Sequence, residues 1–363
     1  MLVLFVTGLV LAWAAIVLLR PLAPTIGLID RPGGRKIHES PTPVIGGLGI
    51  AAGLGLALAA TGAAAGAPWP LIFAMLAIVA LGAADDRFDL PKALRFLVHI
   101  AVGCAVALAA GVDGLPLATG LTGIAVPAPV AVLFVGIAIC ALINAVNWLD
   151  GIDGMLGALA LITLATAGYF LFGEGDAFLR GLIAAAAGAL VAFLGFNLRR
   201  PGRKRAAVFM GDAGSGLLAV VLGYVMLALA QMEGGDPLLM VAAGNALFFA
   251  DMAFVMGLRL FTHGRIWRCD RSHLHHRLAE RGLSVSEIVL VASCAHSLFL
   301  AIQFRATEPS LGLMLPATLA LLAVTAATVA VRSYPQLLPL PTLERLLPTV
   351  ERLREREGES ASR

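Results

Sequence analysis

Charge is what this sequence lacks most. Only 13% of its 363 residues are charged, while 59% are hydrophobic and the mean hydropathy is +0.90. An ordinary soluble domain carries about 25% charged residues, so the deficit argues against a water-solvated domain and for a bilayer as solvent. The net charge of +3 is too small to suggest nucleic-acid binding. Cysteine is also sparse. Cys104, Cys140, Cys269 and Cys294 form no CxxC pair, which leaves neither a disulfide framework nor a zinc site. No basic segment precedes the first apolar run, 2–19, and Arg20 and Pro21 follow it in place of a small-residue cleavage site. It therefore reads as a retained helix and not a removed signal peptide. Period-two alternation is missing from the apolar runs, which disfavours a membrane barrel.

Long apolar runs recur instead. They predict helices near 2–19, 44–62, 69–84, 94–110, 127–146, 154–172, 177–197, 214–232, 237–259, 285–303 and 311–331. The expected fold is an all-α integral membrane protein, a polytopic bundle of about eleven transmembrane helices. The expected division is a membrane domain over 1–331 and a polar tail over 332–363. The tail repeats a Thr-x-Glu-Arg-Leu unit at Thr342 and Thr349, which suggests a solvated or interfacial amphipathic helix. Of the 26 Lys and Arg residues, all but Arg180 and Arg305 fall on alternate loops. The positive-inside rule makes the rich side cytoplasmic, with the N-terminus outside. The outer loops are short and carry little chemistry. No inverted repeat of the kind found in many transporters is visible.

The reactive residue types lie in the inner loops. Asp85 and Asp86 stand where a helix leaves the membrane, followed at once by Arg87, Lys92 and Arg95. A solvated helix end explains an acid pair equally well, but the adjacent cations suit an acid/base or phosphate site. The next inner loop reads Asn144-Ala-Val-Asn147-Trp-Leu-Asp150-Gly151-Ile152-Asp153-Gly154. Polar groups at steps of three spread by about 60° per step on a straight helix, so they could not converge on one ligand unless the glycines let the backbone leave the helix. Acids without a local cation want an external one, and oxygen ligands suit Mg²⁺; a capped polar turn is the plainer reading. Phe209-Met-Gly-Asp212-Ala-Gly-Ser-Gly follows the basic cluster Arg199–Arg205. Asp212 could cap the helix that starts there, or the glycines could admit a phosphate at the helix start. The last inner loop, Asp270-Arg-Ser-His273-Leu-His275-His276-Arg277, fits a phosphate-binding patch better than a zinc site or a merely solvated loop.

In this order the motifs DD, NxxNxxDGxDG, FMGDxGS and HxHH resemble the polyprenyl-phosphate N-acetylhexosamine-1-phosphate transferases, glycosyltransferase family 4, over roughly residues 25–280. The first inner loop agrees, with Asp30-Arg-Pro and Arg35-Lys36-Ile-His38. The interrupted histidine triplet looks like the branch that starts O-antigen, enterobacterial common antigen or teichoic-acid linkage units. The peptidoglycan-precursor transferase, phospho-N-acetylmuramoyl-pentapeptide transferase, is the alternative; a non-enzymatic transporter is the reading from another class. Two departures are His99, where the family usually has Gln, and Arg265-Ile-Trp-Arg-Cys269.

The resemblance implies transfer of N-acetylhexosamine-1-phosphate, GlcNAc-1-phosphate first, from a UDP-sugar to undecaprenyl phosphate with release of UMP. It places the enzyme in the bacterial inner membrane among membrane lipid, with a homodimer allowed. It implies Mg²⁺, or Mn²⁺, on Asn147 and Asp212. It implies chemistry at Asp85, Asp86, Asp150 and Asp153, and uracil contacts at Asp153, Gly151, Ile152 and Phe209. It implies phosphate or sugar contacts at His273, His275, His276, Lys36, His38, Lys92 and Arg95. Direct attack by the lipid phosphate and a covalent carboxylate intermediate both remain open.

Overall fold

The computed structural model describes residues 1–31, 41–116, 125–171, 176–200, 202–233, 235–263 and 273–304. Lys36, His38, the 265–269 departure, the expected helix at 311–331 and the tail lie outside the described residues. The chain opens with α1 (Leu2–Leu19) and the short α2 (Ala23–Ile26). Next come α3 (Gly46–Ala60), α4 (Trp69–Phe88), α5 (Lys92–Ala109), α6 (Ala128–Leu149), α7 (Met155–Phe170), α8 (Ala177–Asn197) and α9 (Gly211–Glu233). The last described elements are α10 (Pro237–Gly244), α11 (Ala246–His263), α12 (Leu274–Glu280) and α13 (Val285–Phe304). Two short antiparallel pairs interrupt the helices: β1 (Ile29–Asp30) with β2 (Thr42–Pro43), and β3 (Gly114–Pro116) with β4 (Ala125–Pro127).

Among the described residues, six helices are long and apolar enough to cross a membrane, and seven if the bent pair α10–α11 counts as one span. α3 and α7 are shorter apolar helices. The protein is thus a multi-pass helical membrane protein. Its outward faces are apolar, as lipid requires: Trp69, Leu97 and Phe261 are exposed at 76%, 65% and 90%. Polar partners are not needed there, because each helix satisfies its own backbone.

Packing is organised around α9, whose apolar stretch is almost wholly buried. α4, α6 and α3 lie against it, while α1 packs on α8 and α3 at the rim. Without a hydrophobic drive between helices in lipid, close approach relies on small residues. A Cβ on Gly8 or Gly188 would enter the backbone of the facing helix at Ala185 or Phe5, and one on Gly103 would enter Gly136.

Two expected elements change. The helix expected over 237–259 is broken at Asn245, and its halves diverge by 83°. The helix expected over 69–84 continues through Phe88, so Asp85 and Asp86 lie on a helix and not in a loop. Apolar runs mark the lipid-facing length of a helix and not where its backbone hydrogen bonding stops, so a polar last turn escapes notice.

Candidate active site

Consecutive residues on a helix point about 100° apart, and this separates the two acids of α4. Asp85 faces a cavity. Asp86 faces the start of α9, where its Oδ1 accepts from the Asp212 N–H at 3.0 Å and its Oδ2 from the Ala213 N–H at 3.4 Å. Asp86 therefore caps α9 from a neighbouring helix. Gly211 makes room for it: its φ is +75°, and a Cβ there would strike the Asp86 carboxylate. Gly82 and Gly47 press against the backbone of the same first turn, at Ala213 and Gly214. Backbone bonds from Gly46 N to Phe209 O (2.9 Å) and Gly47 N to Met210 O (2.8 Å) fix the segment entering α9. Asp212 consequently lies in the first turn of the helix and does not cap it.

The cavity, about 690 Å³, opens where α4, α5, α6 and α9 end together. Asp85, Lys92, Arg95, His99, Asn144, Asn147, Asp212 and His273 all line it. Asp85 Oδ1 accepts the Leu90 N–H at 2.7 Å, and Oδ2 takes an ion pair from Arg95. The same guanidinium lies 3.5 Å from Asp212 Oδ2 and so bridges the two carboxylates. Asn147 Nδ2 donates to Asp212 Oδ1 at 2.6 Å and to Ser215 Oγ at 3.2 Å. Asn144 Nδ2 lies 3.3 Å from His99 Nδ1, which puts the unusual histidine on the cavity wall.

The third inner loop divides between two places. α6 ends at Leu149, and Gly154 at φ +85° begins α7. Asn144 and Asn147 remain on the helix and face the cavity; Asp150 and Asp153 do not line it. Asp153 is held by Arg199 Nε at 2.6 Å and by the Ala206 N–H at 3.2 Å. Loss of solvent, and then the charges of Asp86 and Asp153, push the Asp150 carboxyl up to about 7. Gly151 and Ile152 lie beyond α6: Gly151 abuts the His275 ring and Ile152 packs on the core. Phe209 is stitched through its backbone to Pro43 and Gly46 and is not part of the cavity wall.

The three histidines also diverge. His273 lines the cavity, with the Trp148 edge 5.7 Å from it, centroid to centroid. His275 is buried at 2% exposure. Burial first, then His276 and His273, push it down to about 3, so it is neutral at physiological pH. The His276 ring lies 4.2 Å from that of His275, centroid to centroid, tilted at 46°.

Several residues here carry no mark in the motifs. Arg259 lies over the Trp148 ring at 5.2 Å, and both line the cavity. Asn197 ties two loops: its Oδ1 accepts from Gly154 N at 2.6 Å and its Nδ2 donates to Val208 O at 2.9 Å. The signal that could have found Asn197 is an Asn at the end of an otherwise apolar run. Trp148 could have been found from its place between Asn147 and Asp150.

A bundle of apolar spans has polar ends that meet round one cavity, with carboxylates facing guanidinium, ammonium and imidazole, which makes this a membrane protein with a buried polar site of a charge suited to anionic ligands. Residues 68–230 match the family model Glycosyl transferase family 4. The chain is 31% identical over 285 residues to the undecaprenyl-phosphate alpha-N-acetylglucosaminyl 1-phosphate transferase of Yersinia pestis, covering 77% of each chain. It is 30% identical over 289 residues to the transferase of that name from Escherichia coli (strain K12), covering 78% of this chain and 77% of the relative. With the Haemophilus influenzae transferase the identity is 30% over 295 residues, covering 80% and 82%. The chain belongs to glycosyl transferase family 4 and is a transferase.

Proposed function

We propose that this enzyme transfers GlcNAc-1-phosphate from UDP-GlcNAc to undecaprenyl phosphate at the cytoplasmic face of a bacterial inner membrane. The observation that carries this reading is the single cavity in which Asp85, Arg95, Lys92, Asn147, Asp212 and His273 meet at the ends of apolar spans. The names of the relatives supply undecaprenyl phosphate as acceptor and GlcNAc-1-phosphate as the group moved; the UDP donor is what the family resemblance implies. The restriction of Lys and Arg to alternate loops supports eleven spans with this face inside.

The lipid phosphate oxygen attacks the phosphorus that bears the sugar. The bond from that phosphorus to the oxygen bridging toward the uridine-side phosphate breaks, and UMP leaves with the bond's electron pair. Such a transfer needs alignment and charge neutralisation more than covalent help. Arg95 and Lys92 are placed to hold the acceptor phosphate. Asp85 is committed to Arg95 and the Leu90 N–H, and a carboxylate so engaged is a poor nucleophile. Direct attack is therefore favoured, with Asp85 orienting Arg95 and the attacking phosphate.

The residues also fit a divalent ion. Asp85 and Asp212 share the Arg95 guanidinium, and the Asn147 amide is pinned to Asp212 through Nδ2. Among the described residues no three acidic, His or Cys side chains group as a metal site. Mg²⁺ is commonly bound through only one or two carboxylates, with water and substrate phosphates completing its shell. When bound, the ion would neutralise diphosphate charge; Asn147 and Asp212 would hold it, with Mn²⁺ as a substitute.

The test is UMP release from radiolabelled UDP-GlcNAc by purified protein given undecaprenyl phosphate and Mg²⁺. Turnover that EDTA abolishes and Mg²⁺ restores supports the proposal. Turnover only with UDP-N-acetylmuramoyl-pentapeptide, or none with either donor, overturns it.

A further inference from the structure

Asp251 belongs to none of the motifs. It sits in the apolar helix α11, downstream of the break at Asn245, and is 6% exposed. An acid in a spanning helix is costly, so its partners are informative. Both oxygens are spent on one short segment. Oδ2 faces His273 Nδ1 at 2.8 Å, and Oδ1 accepts the Leu274 N–H at 2.7 Å. A carboxylate can only accept, so Nδ1 of His273 must carry its proton there. Nε2 is then the ring nitrogen left for a ligand, and His273 is the histidine of its loop that lines the cavity. The ring is also held from the sides, by the Trp148 edge at 5.7 Å and by the parallel His275 ring at 5.8 Å. Arg259, from the same helix as Asp251, lies over the other end of this wall on Trp148. α11 packs on α6, the helix that carries Trp148 and Asn147.

We propose that Asp251 is a positioning residue for the donor subsite: it accepts the His273 Nδ1–H and so sets the ring's direction, and when the ring carries both protons its Nε2–H donates to a phosphate oxygen of the nucleotide-sugar diphosphate. The wall of His273, Trp148 and Arg259 presents an aromatic face and a cation, which suits a nucleotide diphosphate. The wall of Arg95 and Lys92 lies on α5 and suits the lipid phosphate. This assignment rests on the transferase reading above. Asp251 acts through His273 and touches no substrate. Outer partners of this kind typically change affinity or activity about ten- to hundredfold when removed from a ligating histidine.

Asp251→Asn separates positioning from mere anchoring. The amide oxygen still accepts from Leu274, but the amide nitrogen now donates to Nδ1, so the ring holds a proton at Nε2 only and meets the diphosphate without positive charge. The expected result is a KM for UDP-GlcNAc raised about tenfold or more, with the KM for undecaprenyl phosphate and the unfolding temperature little changed. Combined with His273→Gln, Asp251→Asn should add no further loss, because one acts through the other. Nitrogen-15 NMR of histidine-labelled protein should show His273 protonated at Nδ1 in the ligand-free parent, at both nitrogens once UDP-GlcNAc is bound, and at Nε2 alone in Asp251→Asn. Additive losses in the double variant, a fall in unfolding temperature with unchanged KM, or a parent ring protonated at Nε2 alone would each overturn the proposal. A parent protein that turns over no nucleotide sugar sinks the transferase reading and the donor assignment together. The NMR tautomer then still decides whether Asp251 fixes the ring.

Discussion

At the scale of single residues, the site depends on which way each side chain leaves its helix. Asp85 enters the cavity and Asp86 caps α9, although they are neighbours in the chain. Asp85→Asn should lower kcat about a hundredfold, the usual cost of misaligning a reacting group, because Arg95 is no longer held in line, with little change in the KM for UDP-GlcNAc. A residue acting mainly in the transition state behaves this way. Equilibrium binding of UDP-GlcNAc to the variant checks it, and lost affinity at saturating Mg²⁺ would move Asp85 to the metal instead. Asp150 gives a pH signature. Its carboxyl is pushed up to about 7 in the folded chain, against about 3.9 when unfolded. Between those values the folded chain holds a proton that the unfolded chain has released. Stability therefore falls as pH rises through that window, and the loss is complete above it. Asp150→Asn should be more stable than the parent near pH 8 and indistinguishable near pH 4. Apparent unfolding temperatures of the metal-free protein in detergent measure this.

At the scale of elements, the start of α9 is the part on which the site depends. It carries Asp212, receives Asp86, and is pressed by glycines of α3 and α4. Gly82→Ala would drive a Cβ into the backbone of Asp212 and Ala213, which cannot rotate away as a side chain could. The expected cost is about 1–3 kcal/mol, the usual range for overpacking, and kcat should fall because Asp212 moves. Gly55→Ala lies in the same family of helices but meets nothing within 4 Å, so it should leave both stability and turnover unchanged. Thermal unfolding and turnover of the pair, measured side by side, test whether the close approach of α4 to α9 matters.

At the scale of the whole molecule, the arrangement of loops decides which compartment supplies the substrates. Asp113, exposed beyond the end of α5, should face outward, and the exposed Lys204, between α8 and α9, should face the cytoplasm. After removal of the native cysteines, Asp113→Cys should react with an impermeant thiol reagent added to intact cells. Lys204→Cys should react only after the cells are opened. Labelling of Lys204→Cys from outside would reverse the orientation or change the number of spans.

Much of this was legible in the sequence. Scarce charge and long apolar runs determine a multi-pass helical bundle, because a bilayer tolerates little else. The order of polar loops marked where chemistry would gather, since acids and histidines are costly at a membrane boundary without a use. Convergence was not legible. Loop motifs name residues but not directions, so Asp150, Asp153 and His275 read like Asn147 and His273, yet only the latter two line the cavity. The capping of α9 by Asp86 and the grip of Asp251 on His273 join residues far apart in the chain. No local pattern encodes such contacts. They exist only once α4, α6, α9 and α11 are packed, because a side chain's partner is set by the neighbouring helix and not by the residues beside it.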